Sequence, residues 1–223
     1  MARICSGQWR PGDKIPSENA FVDQLGASRM TVNRALRELA GDGILERVQG
    51  VGTFVARRRP FHALLEIRDI AREISDAGGL HTSTLHRLET VGAPPAVARD
   101  MGIAAGASVF HVIIVHHDRG CPVQMADRYV NPASAPDFMA QDFSTVTPSA
   151  YLMQVAPVTE VEHVVSAVMP DALTRELLKM APGEPCLLLD RTVWSGPVVA
   201  TCNRLAYPGG RYRIGGRFRI NVP

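Results

Sequence analysis

The chain has 223 residues and a mass of 24.2 kDa, with 46% hydrophobic and 21% charged residues, the composition of an ordinary globular protein with room for one large domain or two small ones. Its 19 glycines and 16 prolines are scattered, no heptad persists, and no apolar run approaches the roughly 18 residues of a membrane span, which excludes collagen-like, coiled-coil, membrane-spanning and largely disordered chains. The formal net charge is +2, but residues 1–59 hold ten Lys/Arg against six Asp/Glu while residues 60–223 hold fourteen against sixteen, so a basic head suited to a polyanion precedes a mildly acidic body.

Met1 to Trp9 lacks the apolar stretch of a secretory signal. Cys5, Cys121, Cys186 and Cys202 lie far apart without C-x-x-C spacing, so neither a disulfide framework nor a zinc knuckle is expected, and a reducing cytoplasm is the simplest setting. Pro11 to Pro16 is turn chemistry. Ser17 then reads as an N-cap with Glu18 in the first turn, Phe21, Val22 and Leu25 form one apolar face, and Gly26 closes the helix. Ser28 caps a second helix over residues 29–40, with Val32, Ala35, Leu36 and Leu39 at helical spacing. The pair is a helix-turn-helix.

Arg29, Thr31, Asn33 and Arg34 crowd the polar N-terminal half of the second helix. A recognition helix presents such residues to the major groove, where Arg pairs with guanine and Asn with adenine. Residues 43–55 then alternate as a hairpin with Gln49-Gly50-Val51-Gly52 at its tip, where glycine lets backbone approach phosphate closely. A helix-turn-helix followed by such a hairpin is a winged helix.

Pro16-Ser-Glu, the run from Ser28 to Leu39, Gly43 and the run from Gln49 to Val55 resemble the DNA-binding head of GntR-type bacterial transcription regulators. The resemblance implies a homodimer on a pseudo-palindromic operator in double-stranded DNA. It places Ser28, Arg29, Thr31, Asn33, Arg34, Gln49, Gly50 and Gly52 at the DNA, whereas Asn19 stands where many relatives have a DNA-contacting arginine. Relatives also begin with a full helix, for which only Met1 to Ile4 is available here. That predicts a truncated first helix, with the face of Phe21, Leu25, Leu36 and Leu39 left open. Losing about 300 Å2 of cover would cost on the order of 7 kcal/mol, so a start farther upstream, or an unstable head, is expected.

Arg57-Arg-Arg-Pro60 reads as an exposed linker that either tracks phosphate or merely hinges. Beyond it, helices are expected over residues 64–76, 94–101, 135–141, 149–155 and 171–180. Strands are expected over residues 82–90, 108–117, 122–130, 159–169, 186–194, 198–207 and 212–220. Hairpins with helices between them predict an antiparallel α+β sheet. The expected division is a head at 1–56, a linker at 57–63 and a body at 64–223.

The chain holds no nucleophile elbow, phosphate loop or dinucleotide fingerprint. His111 and His117 share a strand face and His116 points away, which argues against a metal cluster. Asp127 and Glu162 could be acid–base partners, but nothing nucleophilic stands beside them in sequence. No enzyme activity, metal or cofactor is therefore expected.

The body carries a second resemblance. Gly120-Cys-Pro122, the run from Asp127 to Pro132, Thr147-Pro-Ser-Ala-Tyr-Leu152, Val161-Glu-His-Val-Val165 and the run from Arg211 to Phe218 are similar to the effector domain of the HutC branch of the GntR family. This implies a chorismate-lyase-like (UTRA) fold of antiparallel sheet with flanking helices. It also implies a repressor of histidine-utilisation genes that is released from DNA by a small molecule, urocanate. Sugar-phosphate-sensing relatives carry arginines before the Gly120 turn, whereas Ile113-Ile-Val-His116 has none, which favours a monoanion. His116, Arg128, Ser149 and Arg204 are candidate carboxylate partners, Asp127 or Glu162 could accept an imidazole N–H, and Tyr151 or Tyr212 could stack or hydrogen-bond. A different metabolite on the same architecture, or a small-molecule enzyme on the lyase-like fold, are the alternatives.

Overall fold

The structure, a computed structural model, describes residues 1–42, 44–56, 61–62 and 68–214. Capping chemistry sets the head. Ser17 is extended and its hydroxyl accepts from the Ala20 N–H at 3.3 Å, starting α2 (Glu18–Leu25), which Gly26 ends at φ 61°. Ser28 does the same for Thr31 at 3.2 Å and starts α3 (Arg29–Gly41). Before them lies α1 (Ala2–Cys5). The hairpin pairs β1 (Leu45–Val48) with β2 (Gly52–Val55) in the register Leu45–Val55. Residues 12–15 add a short third strand, with Ile15 N–H donating to the Thr53 carbonyl at 2.9 Å and Lys14 bridged to Phe54.

Ile15, Val32, Leu36, Leu45 and Val55 form the buried centre of the head. Ile4 and Trp9 pack against this cluster, Trp9 meeting the Phe21 ring edge-on at 5.9 Å. These two side chains supply cover that the sequence reading left missing; Leu25 alone of that face stays open, at 65% exposure.

The body is one six-stranded sheet in the order β4-β5-β6-β9-β8-β7, antiparallel throughout. Its strands are β4 (His81–Gly92), β5 (Ser108–Asp118), β6 (Cys121–Val130), β7 (Glu160–Val168), β8 (Cys186–Ser195) and β9 (Val198–Pro208). The β5–β6 turn has φ 47° at Arg119 and 76° at Gly120, the paired left-handed conformation that matches hairpin twist. One sheet face buries Val112, Ile114, Ala126, Leu189 and Leu205 beneath Phe138, Phe143, Tyr151 and Leu152. The other buries Ile113, Val115, Met125, Leu188 and Ala206 against Leu178 and Met180. The helices are α4 (Ile70–Asp76), α5 (Pro95–Met101), α6 (Pro148–Val155) and α7 (Ala172–Leu177), with a 3-10 turn at Phe138–Ala140. Two short strands, β3 (Phe61–His62) and β10 (Arg213–Ile214), pair in parallel.

Three expectations are adjusted. The helix expected from residue 64 begins at Ile70, because Asp69 caps it through the N–H groups of Ala71 and Arg72; residues 63–67 lie outside the described residues. So do most of the expected strand at 212–220, residues 57–60 of the arginine run, and Gly43. The segment 135–141 forms only a single 3-10 turn. Finally, Cys5 and Cys121 form a disulfide, with Cα atoms 5.1 Å apart across 116 residues of sequence, although cysteine spacing predicted none. Docking of the head on the β5–β6 turn brings the two together. Beside them Arg119 reaches Asp42, the C-cap of α3, at 3.7 Å.

Candidate functional site

Two places among the described residues gather polar groups suited to binding. The first is the N-terminal half of α3. Arg29, Thr31 and Arg34 are exposed there, and Ser28 ties back to Thr31 through a 2.9 Å hydroxyl contact. Met30 is 85% exposed, an apolar side chain that sequence reasoning passed over and that can meet a thymine methyl. Asn33 is half-buried and donates to Glu18 Oε1 at 2.8 Å, an oxygen that also accepts from Arg47 Nη2 at 3.2 Å. Arg34 pairs along the helix with Glu38 at 2.9 Å. The tip is exposed at Gln49 and Gly50, with φ 76° at Gly50 and 143° at Gly52, and the Lys14 side chain lies against Gly52. The result is a solvent-facing surface of donors and one apolar side chain.

The second place is a row across the sheet. Arg128, Asn203 and Arg191 are register neighbours on β6, β9 and β8. All three are buried, Arg128 at 6% exposure. Over them stands the N-terminus of α6, capped by Thr147, whose hydroxyl accepts from Ala150 N–H at 3.0 Å. Arg128 Nη2 donates to Ser149 Oγ at 2.8 Å. Asn203 Nδ2 donates to the Arg191 carbonyl and to Thr201 Oγ1, both at 2.9 Å. Arg128 Nε and Asn203 Oδ1 are buried with no hydrogen-bond partner among the described residues. An orphaned charged donor and an orphaned acceptor side by side invite a ligand that offers the complement.

Electrostatics sharpen that picture. Burial, then the neighbouring Arg191, pulls the Arg128 guanidinium down to about 10, against the opposing pull of Asp69 and Tyr207. Burial likewise lowers Arg191. Two desolvated cations on one face favour an anion, and the helix N-terminus above them adds to that field. At the far end of the same face, His116 Nδ1 and His81 Nε2 share a hydrogen bond at 3.0 Å. Burial, then His81 and Arg128, pushes His116 down to about 3, so that it stays neutral.

The predicted effector residues divide between the two faces. Arg128 and Ser149 meet directly, and His116 lies farther along their face. Tyr151 is buried in the apolar layer above it. Asp127 points the other way, accepting from His111 Nε2 at 2.8 Å if that nitrogen carries the proton, with Arg204 its register partner on β9. Arg204 is exposed and paired with Asp190 at 3.5 Å, and Glu162 is exposed on β7. Tyr212 stacks on Tyr207 at 4.2 Å and donates to Glu73 Oε2 at 2.9 Å, near the head. The sequence reading missed Arg191, Asn203 and Thr201. Strand alternation was the available signal: once Arg128 faces inward, Asp127 cannot, and the same holds for Asn203 and Arg204.

The space beside the arginine row is about 30 Å3, lined by Arg128, Ser149, Leu152, Arg191, Thr201 and Asn203 among others. Ligand pockets usually run to roughly 300–1,000 Å3, so the space as it stands is smaller than a ligand of that class needs. A larger cavity of about 740 Å3 lies where head meets body, beside Trp9, Ile74, Arg119 and Tyr212. The smaller space is the better candidate, because two buried cations, Arg128 and Arg191, stand in one register row there beneath the N-terminus of α6.

Comparison with known proteins bears on both places. Residues 1–55 match the family of bacterial regulatory proteins, gntR family, and residues 76–213 match the UTRA domain. The chain is 50% identical over 218 residues to the histidine utilization repressor of Pseudomonas aeruginosa, spanning 98% of this chain and 87% of that one. It is 46% identical over 216 residues to the repressor of the same name from Klebsiella aerogenes, spanning 97% and 90%. Among solved structures, the C-terminal domain of the histidine utilization repressor from Pseudomonas syringae superposes with a TM-score of 0.61 at 46% identity, covering 63% of this chain and 99% of that one. PhnF from Mycobacterium smegmatis superposes with a TM-score of 0.70 over 99% of this chain and 97% of that one, and at 24% identity it shows the shared fold.

Proposed function

The chain belongs to the GntR family of bacterial regulatory proteins, as a HutC-type transcriptional repressor with a UTRA domain, and on that premise we propose that it represses histidine-utilisation genes in the cytoplasm as a homodimer and leaves its operator when urocanate enters the body. In this reading residues 1–56 are the head that grips double-stranded DNA, 57–63 the linker and 64–223 the sensor. Ser28, Arg29, Thr31, Asn33 and Arg34 read the major groove, and Gln49, Gly50 and Gly52 follow the backbone beside it.

The observation that carries the sensor assignment is the buried Arg128, held by Ser149 at 2.8 Å and left with an open Nε beside the open Asn203 Oδ1. Urocanate has a carboxylate at one end and an imidazole at the other. The carboxylate suits Arg128, Arg191 and the start of α6; the ring N–H suits Asn203 Oδ1. A compact monoanion also fits a site with little empty volume better than a sugar phosphate does.

Coupling to the head follows from the caps. Asp69 caps α4 and also accepts the hydroxyl of Thr147, which caps α6. If α6 lifts to admit a ligand, it therefore pulls on Asp69, the first residue before α4 and close to the start of the sensor. Since the relatives are repressors, binding without turnover is the expected chemistry.

Calorimetric titration of urocanate tests the sensor, and fluorescence anisotropy of a labelled promoter fragment from a histidine-degradation operon tests the head. Saturable binding in both supports the reading. Absence of urocanate binding alongside tight operator binding reassigns the inducer to another small anion.

A further inference from the structure

The head meets the body at a point that the repressor reading leaves unused. Cys5 ends α1 in the head and Cys121 opens β6 in the body; their Cα atoms stand 5.1 Å apart and the two sulfurs are joined. That separation sits within the ordinary range for a disulfide. Cys121 is nearly buried, whereas Cys5 is half-exposed at the helix end. The turn before Cys121 is itself a joint: Arg119 hydrogen-bonds the Gly78 carbonyl at 2.6 Å and reaches Asp42, at the end of α3, at 3.7 Å. Further along the same strand β6 is Arg128. One continuous strand thus runs from the buried arginine row to the covalent contact with the head.

Disulfides inside a reducing compartment are usually transient and redox-sensing rather than structural. We propose that Cys5 and Cys121 are a reversible thiol–disulfide modification site, oxidised by exchange with a low-molecular-weight disulfide, which fastens the DNA-binding head to the sensor body and so changes operator affinity. The thiolate of the accessible Cys5 attacks one sulfur of the small disulfide, forming a mixed disulfide and expelling one small thiolate. The Cys121 thiolate then attacks the Cys5 sulfur and expels the second. The two protein protons end on the two released thiols; the protein cysteines are oxidised and the small disulfide is reduced by the same two electrons.

The other two cysteines do not compete. Cys186 and Cys202 are free, and burial raises both thiols, Cys202 to about 11, which leaves little thiolate to react. In the reduced state, the polar hold on the head at this joint, among the described residues, includes the Arg119–Asp42 pair. The head then regains orientational freedom that two heads of a dimer need when they seek two half-sites.

The effect on operator affinity rests on the repressor reading; the modification itself does not. The purified chain is equilibrated with glutathione disulfide or with a reducing dithiol, alongside Cys5→Ser and Cys121→Ser. Three things are read: the non-reduced peptide map, hydrogen exchange at Ile4, Cys5 and Ser6, and operator affinity. The proposal expects a Cys5–Cys121 peptide in oxidised protein only, slower exchange in α1, and an operator affinity shifted by roughly fivefold or more. Both serine variants should show none of these responses; Cys5→Ser serves if Cys121→Ser, whose position is buried, fails to fold. An oxidised protein without that peptide overturns the site, and a cross-link that leaves operator affinity unchanged overturns the switch. If neither redox state binds promoter DNA, the repressor reading fails instead, while the peptide map and exchange still decide the modification.

Discussion

Thr147 donates its hydroxyl proton to the Asp69 carboxylate while accepting from the Ala150 N–H at 3.0 Å, so one side chain caps α6 and grips the cap of α4. Nothing else among the described contacts joins the helix above the arginine row so directly to the start of α4. The Thr147→Val variant loses the cap and the grip together. Urea unfolding should show a loss of about 1–2 kcal/mol. Urocanate should still bind, but its effect on operator affinity should shrink. Full retention of that effect would place the coupling elsewhere.

Arg128→Gln removes the charge beside Ser149 and keeps much of the side-chain length. Calorimetry should show urocanate affinity reduced by roughly tenfold or more, the worth of a charged hydrogen bond. Arg204→Ala is the control, because Arg204 lies exposed on the opposite face. Equal losses in the two variants would disprove the choice of face.

In the head, Arg29→Ala should weaken operator binding by about 1–3 kcal/mol and relax preference at a guanine. Met30→Ala should lower discrimination at a thymine with little change in the salt dependence of binding. Asn33 donates to Glu18 at 2.8 Å without DNA, so its amide must exchange partners to read a base; Asn33→Ala should broaden sequence preference. Anisotropy against a panel of operator variants separates the three.

His116 gives a pH signature. Its folded value is about 3 against an ordinary 6.5, chiefly through burial. A depressed histidine binds fewer protons folded than unfolded, so the stability it contributes is complete above pH 6.5 and is lost as pH falls toward 3. The slope from this group is about 1.4 kcal/mol per pH unit. Between pH 6.5 and about 4.5 it stands apart from the carboxylates Asp142 and Asp171, whose lowered values act below that window. His81 and His117, which burial also lowers, contribute in the same window, so His116→Gln should reduce the slope in urea unfolding without abolishing it; an unchanged slope would mean that His116 is already charged in the fold.

The head was nearly all legible in sequence. Ser17, Gly26 and Ser28 announce their helix ends by local chemistry, and the glycines of the wing announce its tip. The body's elements were legible too, but not their order. Inserting β9 between β6 and β8 puts Asn203 and Arg191 beside Arg128, a long-range pairing that spacing alone does not encode. Assigning Asp127, Glu162 and Arg204 to the effector site ignored the alternation that sends them to the other face. The Cys5–Cys121 bond was hidden for a related reason: it depends on how the head docks on a turn 116 residues away.

The central claim is that one ligand site and one DNA site oppose each other through the same chain. It is tested most directly by titrating urocanate into the preformed complex of protein and labelled operator and following anisotropy. The account predicts release, with operator affinity lowered by roughly 5–150-fold at saturation and urocanate bound more weakly by the complex by that same factor. An operator affinity that stays constant while urocanate demonstrably saturates the protein would contradict it.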